Sequence, residues 1–418
     1  MEIEPPTMKL FKGVINSLRG EAGFRYIARA REIARAGFKV INFGVGQPDV
    51  PTFQHIVDEA KRALDGGFTG YTETSGIPEL RAAIAEYLND RYGSDVKADE
   101  LIVTPGAKPA IFLAIASYIE PGDEVIVPEP SFPAYPEIVR FLGAKPVYVP
   151  LKWLGEDRGF ELDLDGIERA VTNRTKMIVI NNPHNPTGAL FNSKQIDEVY
   201  RIAVENKLLI LADEIYDNFL YDESRLRSFI SFADWRDHLL YVNGFSKTFS
   251  MTGWRLGYLV ARGEVASKIT RLAVNIWSCA TSFVQKAGIV ALKGSWKPIE
   301  DMIRLFEKRR NLAIEKLREI KGVEVWPSKG TFYLFPYMGS ILRSIGMSSE
   351  QFVEQLVERK HVIVLPGTVF PERAGAEFIR ISFALNDGAI AEGIERLKSF
   401  IVELTEGKEE KLQASINS

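Results

Sequence analysis

From about residue 98 to 261 the chain alternates short apolar runs with amphipathic stretches. The runs are Leu101–Thr104, Glu124–Pro128, Lys145–Pro150, Lys176–Pro183, Leu208–Glu214, Leu239–Ser246 and Leu256–Ala261. They are rich in Val, Ile, Leu and Tyr and nearly continuous in apolar character. That is the pattern of strands buried on both faces, not of strands with one wet side. Helical patterns over Lys108–Ile119 and Ser193–Asn206 fall between the runs. The alternation predicts an α/β fold with a mostly parallel, seven-stranded sheet. Upstream, Phe11–Arg35 has helical spacing, Val40–Gly46 reads as a strand, and Gln47–Pro51 reads as a turn. Thr52 is the expected N-cap of a helix running to about Leu64. After residue 295 the texture changes to a charged amphipathic helix over Pro298–Ile320, then short strands and a helix near Ser349–Arg359. This predicts a second, smaller α+β domain. The last residues, TEGKEEKLQASINS, are polar and expected to fray.

Composition removes several kinds of chemistry. The 418 residues carry 52 Lys and Arg against 55 Asp and Glu, so there is no basic excess for nucleic acid. Cys279 is the only cysteine, which excludes an internal disulfide and Cys-rich zinc sites. His55, His184, His238 and His361 show no metal-ligand spacing, and no G-x-S-x-G elbow is present. The longest apolar run, Ala110–Ile119, is too short to span a bilayer. Without a signal-like N-terminus the expectation is a cytoplasmic protein with no membrane partner.

The candidate chemistry sits after the strands, where open α/β sheets bind ligands. Asn185 follows the Lys176–Asn182 run, Asp213 ends LLILAD, Lys247 follows LLYVNGFS, and Gly106, Ala107 and Lys108 open a helix after LIVTP. A lysine at a buried strand end is partly desolvated, which favours the neutral, nucleophilic amine, and Arg255 adds a neighbouring cation. Asp213, a buried carboxylate, needs a cationic partner, either a ring nitrogen or a local arginine. A glycine turn opening a helix is an anion site. Each has an ordinary alternative: a loop lysine, a structural ion pair, a plain turn. Together they match what a pyridoxal-type cofactor requires, namely an amine, an acid for the ring nitrogen and a phosphate site. Phe132 in PEPSFPAY adds the aromatic face.

Through GQPDVPT, GYTETSGIPELR, TPGAKPA, PEPSFPAY, NNPHNPTG, ADEIYDNF, GFSKTFSMTGWRLG and FIRISFA, in that order, the chain resembles the class I/II pyridoxal-phosphate aminotransferases of the aspartate-aminotransferase fold. The resemblance covers about residues 15–400. It implies a large cofactor domain over 51–296, a small α+β domain over 297–405 joined by the N-terminal segment 1–50, and a polar tail over 406–418. It implies pyridoxal 5'-phosphate as cofactor and no metal. Lys247 is then the Schiff-base lysine and proton carrier, Asp213 the partner of the pyridine nitrogen, and Tyr216 and Asn185 the partners of the 3' oxygen. Ala107 and Lys108 (through their N–H groups), Ser246 and Arg255 bind the phosphate, Phe132 stacks on the ring, and Tyr71 reaches the phosphate of the neighbouring subunit in a homodimer. Arg380 clamps the substrate α-carboxylate, helped by Asn185 and the Gly46 backbone. Two positions depart from the family pattern: Gly244 replaces a frequent Ser, and Phe132 a frequent Trp.

The implied activity is ping-pong exchange of an amino group between an L-amino acid and a 2-oxo acid, 2-oxoglutarate being the expected acceptor. Alternatives on the same fold are a C–S lyase or a non-catalytic sensor. The donor side chain is left open among aromatic, aliphatic and aspartate. Asn275–Phe283 and Ile15–Phe24 are expected to border its pocket, which would favour apolar side chains. Trp254 and Trp277 are expected in the core, Cys279 as a small buried hydrophobe, and His184 as a bystander or a support behind the site residues.

Overall fold

A computed structural model of the chain describes residues 13–18, 22–222, 224–370 and 373–416. The predicted runs form one seven-stranded sheet. Its order is Leu101–Thr104, Gly257–Val260, Leu239–Gly244, Leu209–Asp213, Thr175–Asn181, Glu124–Glu129 and Lys145–Pro150. Gly257–Val260 runs antiparallel to both neighbours, and the other pairings are parallel. The lack of polar alternation has a direct cause. Val125, Val127, Met177, Val179, Leu211 and Val242 pack into a core with the Ala107–Ala116 helix and Ile269. The intervening Ile126, Ile178, Ile180, Ile210 and Tyr241 belong to a second core with Leu80, Ile84, Ile196 and Val199. Both faces of the inner strands are therefore dry and favour apolar side chains, while the edge strand Lys145–Pro150 stays partly exposed.

A smaller α+β unit packs beside it. Ile379–Ser382 pairs antiparallel with Tyr333–Leu334 and with Leu365–Pro366. The helices Lys297–Arg318, Ser349–Lys360 and Asp387–Ile416 surround this sheet. Ile41–Asn42 joins it by pairing in parallel with Val362–Ile363, so both ends of the chain build this unit. No helix among the described residues is long and apolar enough to cross a membrane.

Four local expectations are corrected. The Phe11–Arg35 helix is two helices, Gly13–Ser17 and Ala22–Arg35, while residues 11–12 and 19–21 lie outside the described ones. Gly20 in the intervening sequence is costly in a helix interior. Of Val40–Gly46 only Ile41–Asn42 is strand, because the Asn42 side chain turns back to accept the Gly44 N–H at 2.9 Å. Phe53, not Thr52, is the N-cap of Gln54–Asp65. The Thr52 hydroxyl instead donates to the Ser250 carbonyl at 2.6 Å and accepts the Trp254 indole N–H at 2.8 Å. The C-terminal stretch is helical as far as Ile416, continuing the helix that starts at Asp387.

Candidate active site

Five strand ends and the smaller unit meet around a cavity of about 420 Å³. Its wall includes Gly46, Ala107, Lys108, Phe132, Asn185, Asp213, Tyr216, Ser246, Lys247, Arg255 and Arg380. Of the residues given a cofactor, substrate or catalytic role in the sequence, only Tyr71 stands away from it, at 91% exposure. Lys247 is partly buried, and its Nζ donates to the Gly46 carbonyl at 2.6 Å. The same amine lies 5.6 Å and 5.7 Å from the ring centres of Tyr216 and Phe332.

Asp213 ends its strand buried. Its Oδ2 accepts the Tyr135 hydroxyl at 2.7 Å and its Oδ1 the Ile215 N–H at 3.2 Å. Burial pushes its carboxyl up to about 6, against the opposing pull of these hydrogen bonds and the Lys247 charge. Asn181 supports two neighbours at once: its amide donates to the Asp213 carbonyl at 2.8 Å, and its oxygen accepts the Asn185 N–H at 2.8 Å. On the opposite wall Arg380 is buried without an acidic partner among the described residues. It donates to Asn185 Oδ1 at 3.1 Å and to the Gly44 carbonyl at 2.9 Å, and its Nε has no partner. Its guanidinium is sandwiched between Tyr333 at 4.2 Å and Phe370 at 4.9 Å. A buried, unpaired guanidinium with a vacant donor is prepared for a carboxylate.

The turn before Ala107 is shaped by two glycines. Gly106 has φ +97°, and a Cβ there would strike the Arg255 guanidinium at 2.1 Å. A Cβ on Gly257 would strike the Gly106 carbonyl carbon at 2.5 Å and the Ala107 nitrogen at 2.6 Å. The first N–H groups of the Ala107–Ala116 helix and the Arg255 side chain are thereby brought together, an arrangement suited to a phosphate. Gly244 faces a crowded neighbour: a Cβ would sit 3.0 Å from both Gly257 Cα and the Leu256 carbonyl. That close packing accounts for glycine at this strand end.

Sequence reading missed Tyr135 and Asn181, although each falls within a segment already quoted, and Tyr333, which falls in the short strands after residue 320. It also missed Asp217, which is buried and accepts the hydroxyls of Tyr87 at 2.9 Å, Tyr92 at 2.8 Å and Thr248 at 3.4 Å. Thr248 directly follows Lys247, so Asp217 braces the lysine loop. Two side expectations change, those for Cys279 and for the pocket border, and His184 is placed as a residue behind the site. Cys279 is partly exposed, not buried. His184 is buried and neutral, its ring held by Thr187 at 2.8 Å, because burial lowers its pKa to about 3. Asn275–Phe283 and the described part of Ile15–Phe24 do not line the cavity. Ile276, Trp277 and Leu18 line a second, apolar hollow. The Ala107–Ala116 helix is the wall between the two, with Ala107 and Ile111 facing the cavity and Pro109 and Phe112 facing the hollow. Among the described residues no group of His, Cys, Asp and Glu is placed to hold a metal.

The donor set therefore fits pyridoxal phosphate: a partly buried amine, a buried carboxylate, a glycine-shaped helix N-terminus beside an arginine, and a buried arginine with an open valence. Comparison with known proteins agrees. The model of the family "Aminotransferase class I and II" matches residues 39–397. The aspartate aminotransferase of Sulfolobus acidocaldarius is 50% identical over 94% of this chain and 98% of that protein. The aromatic-amino-acid aminotransferase 2 of Thermococcus litoralis is 37% identical over 90% of this chain and 95% of its own length. The solved structure of the Thermus thermophilus aspartate aminotransferase with maleate superposes with a TM-score of 0.87 at 32% identity, covering 93% of this chain and 99% of that one. On its sequence, its fold and the matching family model, the chain belongs to the class I and II aminotransferases and is a pyridoxal-phosphate-dependent enzyme of amino-group transfer.

Proposed function

We propose that the enzyme takes its amino group from L-aspartate and passes it to a 2-oxo acid, 2-oxoglutarate in the first instance, as a homodimer. The observation that carries the donor assignment is Lys108. Four cationic side chains line the cavity: Lys108, Lys247, Arg255 and Arg380. In this reading Lys247 is the reacting amine, Arg255 faces the phosphate and Arg380 the α-carboxylate. Lys108, which lines both the cavity and the apolar hollow and whose Nζ lies 5.3 Å from the Phe132 ring centre, is in this reading the cation that meets a second carboxylate on the substrate side chain. The name of the relative that is 50% identical points the same way.

The bound cofactor supplies a conjugated, protonated ring that takes up the electron pair left on the donor's α-carbon. The chain does the rest. Lys247 would hold the cofactor through its amine and, once the donor is bound, would serve as the base and acid that moves the α-proton. Asp213, supported by Tyr135, keeps the ring nitrogen protonated. Asn185 and Tyr216 bind the 3' oxygen, and Phe132 lies against the ring. The N–H groups of Ala107 and Lys108, with Ser246 and Arg255, hold the phosphate, joined by the partner's Tyr71. Arg380, Asn185 and the Gly46 backbone orient the α-carboxylate. Residues 51–296 carry the cofactor, while 297–405 with the first fifty residues bring Arg380 and Phe370 over the substrate. A dimer is supported by the exposed Tyr71, Ile276, Val274 and Ile15.

The test is a donor panel against 2-oxoglutarate with two variants. Lys247→Ala should abolish exchange and the visible absorption of the lysine-bound cofactor. Lys108→Met should raise KM for aspartate by about tenfold or more, the cost of an unpaired substrate carboxylate, while aromatic donors change little. Equal effects on both donor classes would remove Lys108 from substrate recognition.

A further inference from the structure

Tyr333 touches three parts of the site from a strand that the residue assignments above leave out. It is buried at the start of the short Tyr333–Leu334 strand. Its hydroxyl is 3.0 Å from the Tyr216 hydroxyl. Its ring lies under the Arg380 guanidinium, 4.2 Å from the centre. Its hydroxyl also occupies the space where a Gly46 Cβ would stand, at 2.7 Å, next to the carbonyl that receives Lys247 Nζ. One side chain therefore contacts the α-carboxylate arginine and the tyrosine beside the reacting lysine, and fills the space beside Gly46, whose carbonyl receives that lysine.

We propose that Tyr333 is a positioning residue for amino transfer: its ring fixes the plane of Arg380, and its hydroxyl directs the Tyr216 proton toward the cofactor's 3' oxygen. The inference rests on the roles proposed for Arg380 and Tyr216. The physical argument has two parts. A guanidinium between two aromatic faces keeps its in-plane N–H donors open at the edge, where a carboxylate binds with two bonds. Phe370 supplies the other face at 4.9 Å. A phenol that accepts a hydrogen bond from a second phenol becomes a stronger donor itself. If Tyr333 donates to Tyr216, the Tyr216 proton is free for the 3' oxygen and bonds it more strongly. Stronger bonding there stabilises negative charge on that oxygen and loosens the proton on the lysine–cofactor linkage. The groups facing Tyr216 are Tyr333, Arg380 and Asp213, with Lys247 over its ring.

Two substitutions separate the two roles. Tyr333→Phe keeps the ring and removes the hydroxyl. In the cofactor-loaded enzyme without substrate, the pH midpoint of the visible absorption change should rise by roughly half to one unit, the worth of one hydrogen bond. Donor KM should stay within about twofold, because the ring still faces Arg380. Tyr333→Leu removes the ring as well, and should raise donor KM by about tenfold, with kcat affected less. Tyr216→Phe and Arg380→Lys are the controls. A Tyr216→Phe midpoint equal to wild type would overturn the Tyr216 role itself. A shifted Tyr216→Phe midpoint beside an unshifted Tyr333→Phe midpoint would overturn the inference alone. For the second role, a raised KM in Arg380→Lys with an unchanged KM in Tyr333→Leu would do the same, while an unchanged KM in Arg380→Lys would overturn the clamp.

Discussion

At the residue scale the site runs on displaced protonation equilibria, and two adjacent carboxyls show this in opposite directions of space. Asp213 faces the cavity and is pushed from 3.8 up to about 6 by burial. Glu214 faces the core, bonded to the Ser228 hydroxyl at 2.5 Å and the Phe229 N–H at 2.9 Å, and burial pushes it from 4.5 up to about 8. Both folded values lie above the unfolded ones. The folded chain therefore holds the extra proton between the two values, and stability falls as pH rises through that window. For Asp213 the window is 3.8 to about 6, and for Glu214 it is 4.5 to about 8. Each contributes a slope of up to ~1.4 kcal/mol per pH unit. Buried, neutral His184, lowered from 6.5 to about 3, gives the opposite slope below pH 6.5, so the net loss in the cofactor-free enzyme should be clearest between about pH 6.5 and 8, where Glu214 acts unopposed by it, as read from denaturation midpoints at a series of pH values. Loading the cofactor sets a ring cation against Asp213 and should remove that residue's share only. Glu214→Gln should flatten the slope between pH 6 and 8 whether or not the cofactor is bound. A slope in that range untouched by Glu214→Gln would mean the carboxyl is already ionised in the fold.

At the element scale, what could be read from the sequence depended on whether a feature was local. Six of the seven strands are runs buried on two sides, so their composition marks them, and the partly exposed edge strand Lys145–Pro150 keeps the same Val and Tyr content. Lys247, Asp213 and Asn185 could be found because each sits at or beside such a run, and Arg380 through the resemblance carried by FIRISFA. Tyr135 could not be paired with Asp213, because nothing local brings a helix residue to a strand end 78 positions away. The same holds for Asp217 and its tyrosines on the Pro78–Tyr92 helix. The loop that carries Tyr71 is a third case. Gln285, buried on the Ser282–Lys293 helix, donates to the Thr72 hydroxyl at 2.9 Å and accepts the Ile77 N–H at 2.8 Å. Ser282 donates to the Phe68 carbonyl at 3.0 Å. An exposed tyrosine is thus presented by a backbone tied down on either side of it. Gln285→Met leaves the Ile77 N–H unpaired, which should destabilise the fold by about 1–3 kcal/mol. It should also weaken cofactor binding through Tyr71. In cofactor titrations its effect should be largely absorbed by Tyr71→Phe, giving a double variant weaker by less than the product of the single losses. Fully multiplicative losses would separate Gln285 from Tyr71.

At the scale of the whole molecule, one chain leaves Tyr71 at 91% exposure, away from its own cavity. Ile276, Val274 and Ile15 are also exposed, so the chain keeps large apolar side chains in solvent besides this aromatic on its braced loop. A two-fold dimer would let each copy complete the other's phosphate site. This can be tested without solving the assembly, by mixing two variants that each fail alone. Tyr71→Phe keeps its lysine but offers its partner no hydroxyl. Lys247→Ala keeps Tyr71 but has no reacting amine. In a hybrid of the two, one site has Lys247 from the first copy and Tyr71 from the second, and the other site has neither. If Tyr71 acts across the interface, co-refolding equal amounts makes about half the dimers hybrid, each with one complete site. Activity at limiting cofactor should then rise well above the average of the separate variants. If Tyr71 serves its own chain, the lysine-bearing copy still lacks its hydroxyl in the hybrid, and mixing gains nothing. The two arrangements leave the same groups in the tube and differ only in which chain supplies them, so recovery on mixing is a direct reading of the path of the contact.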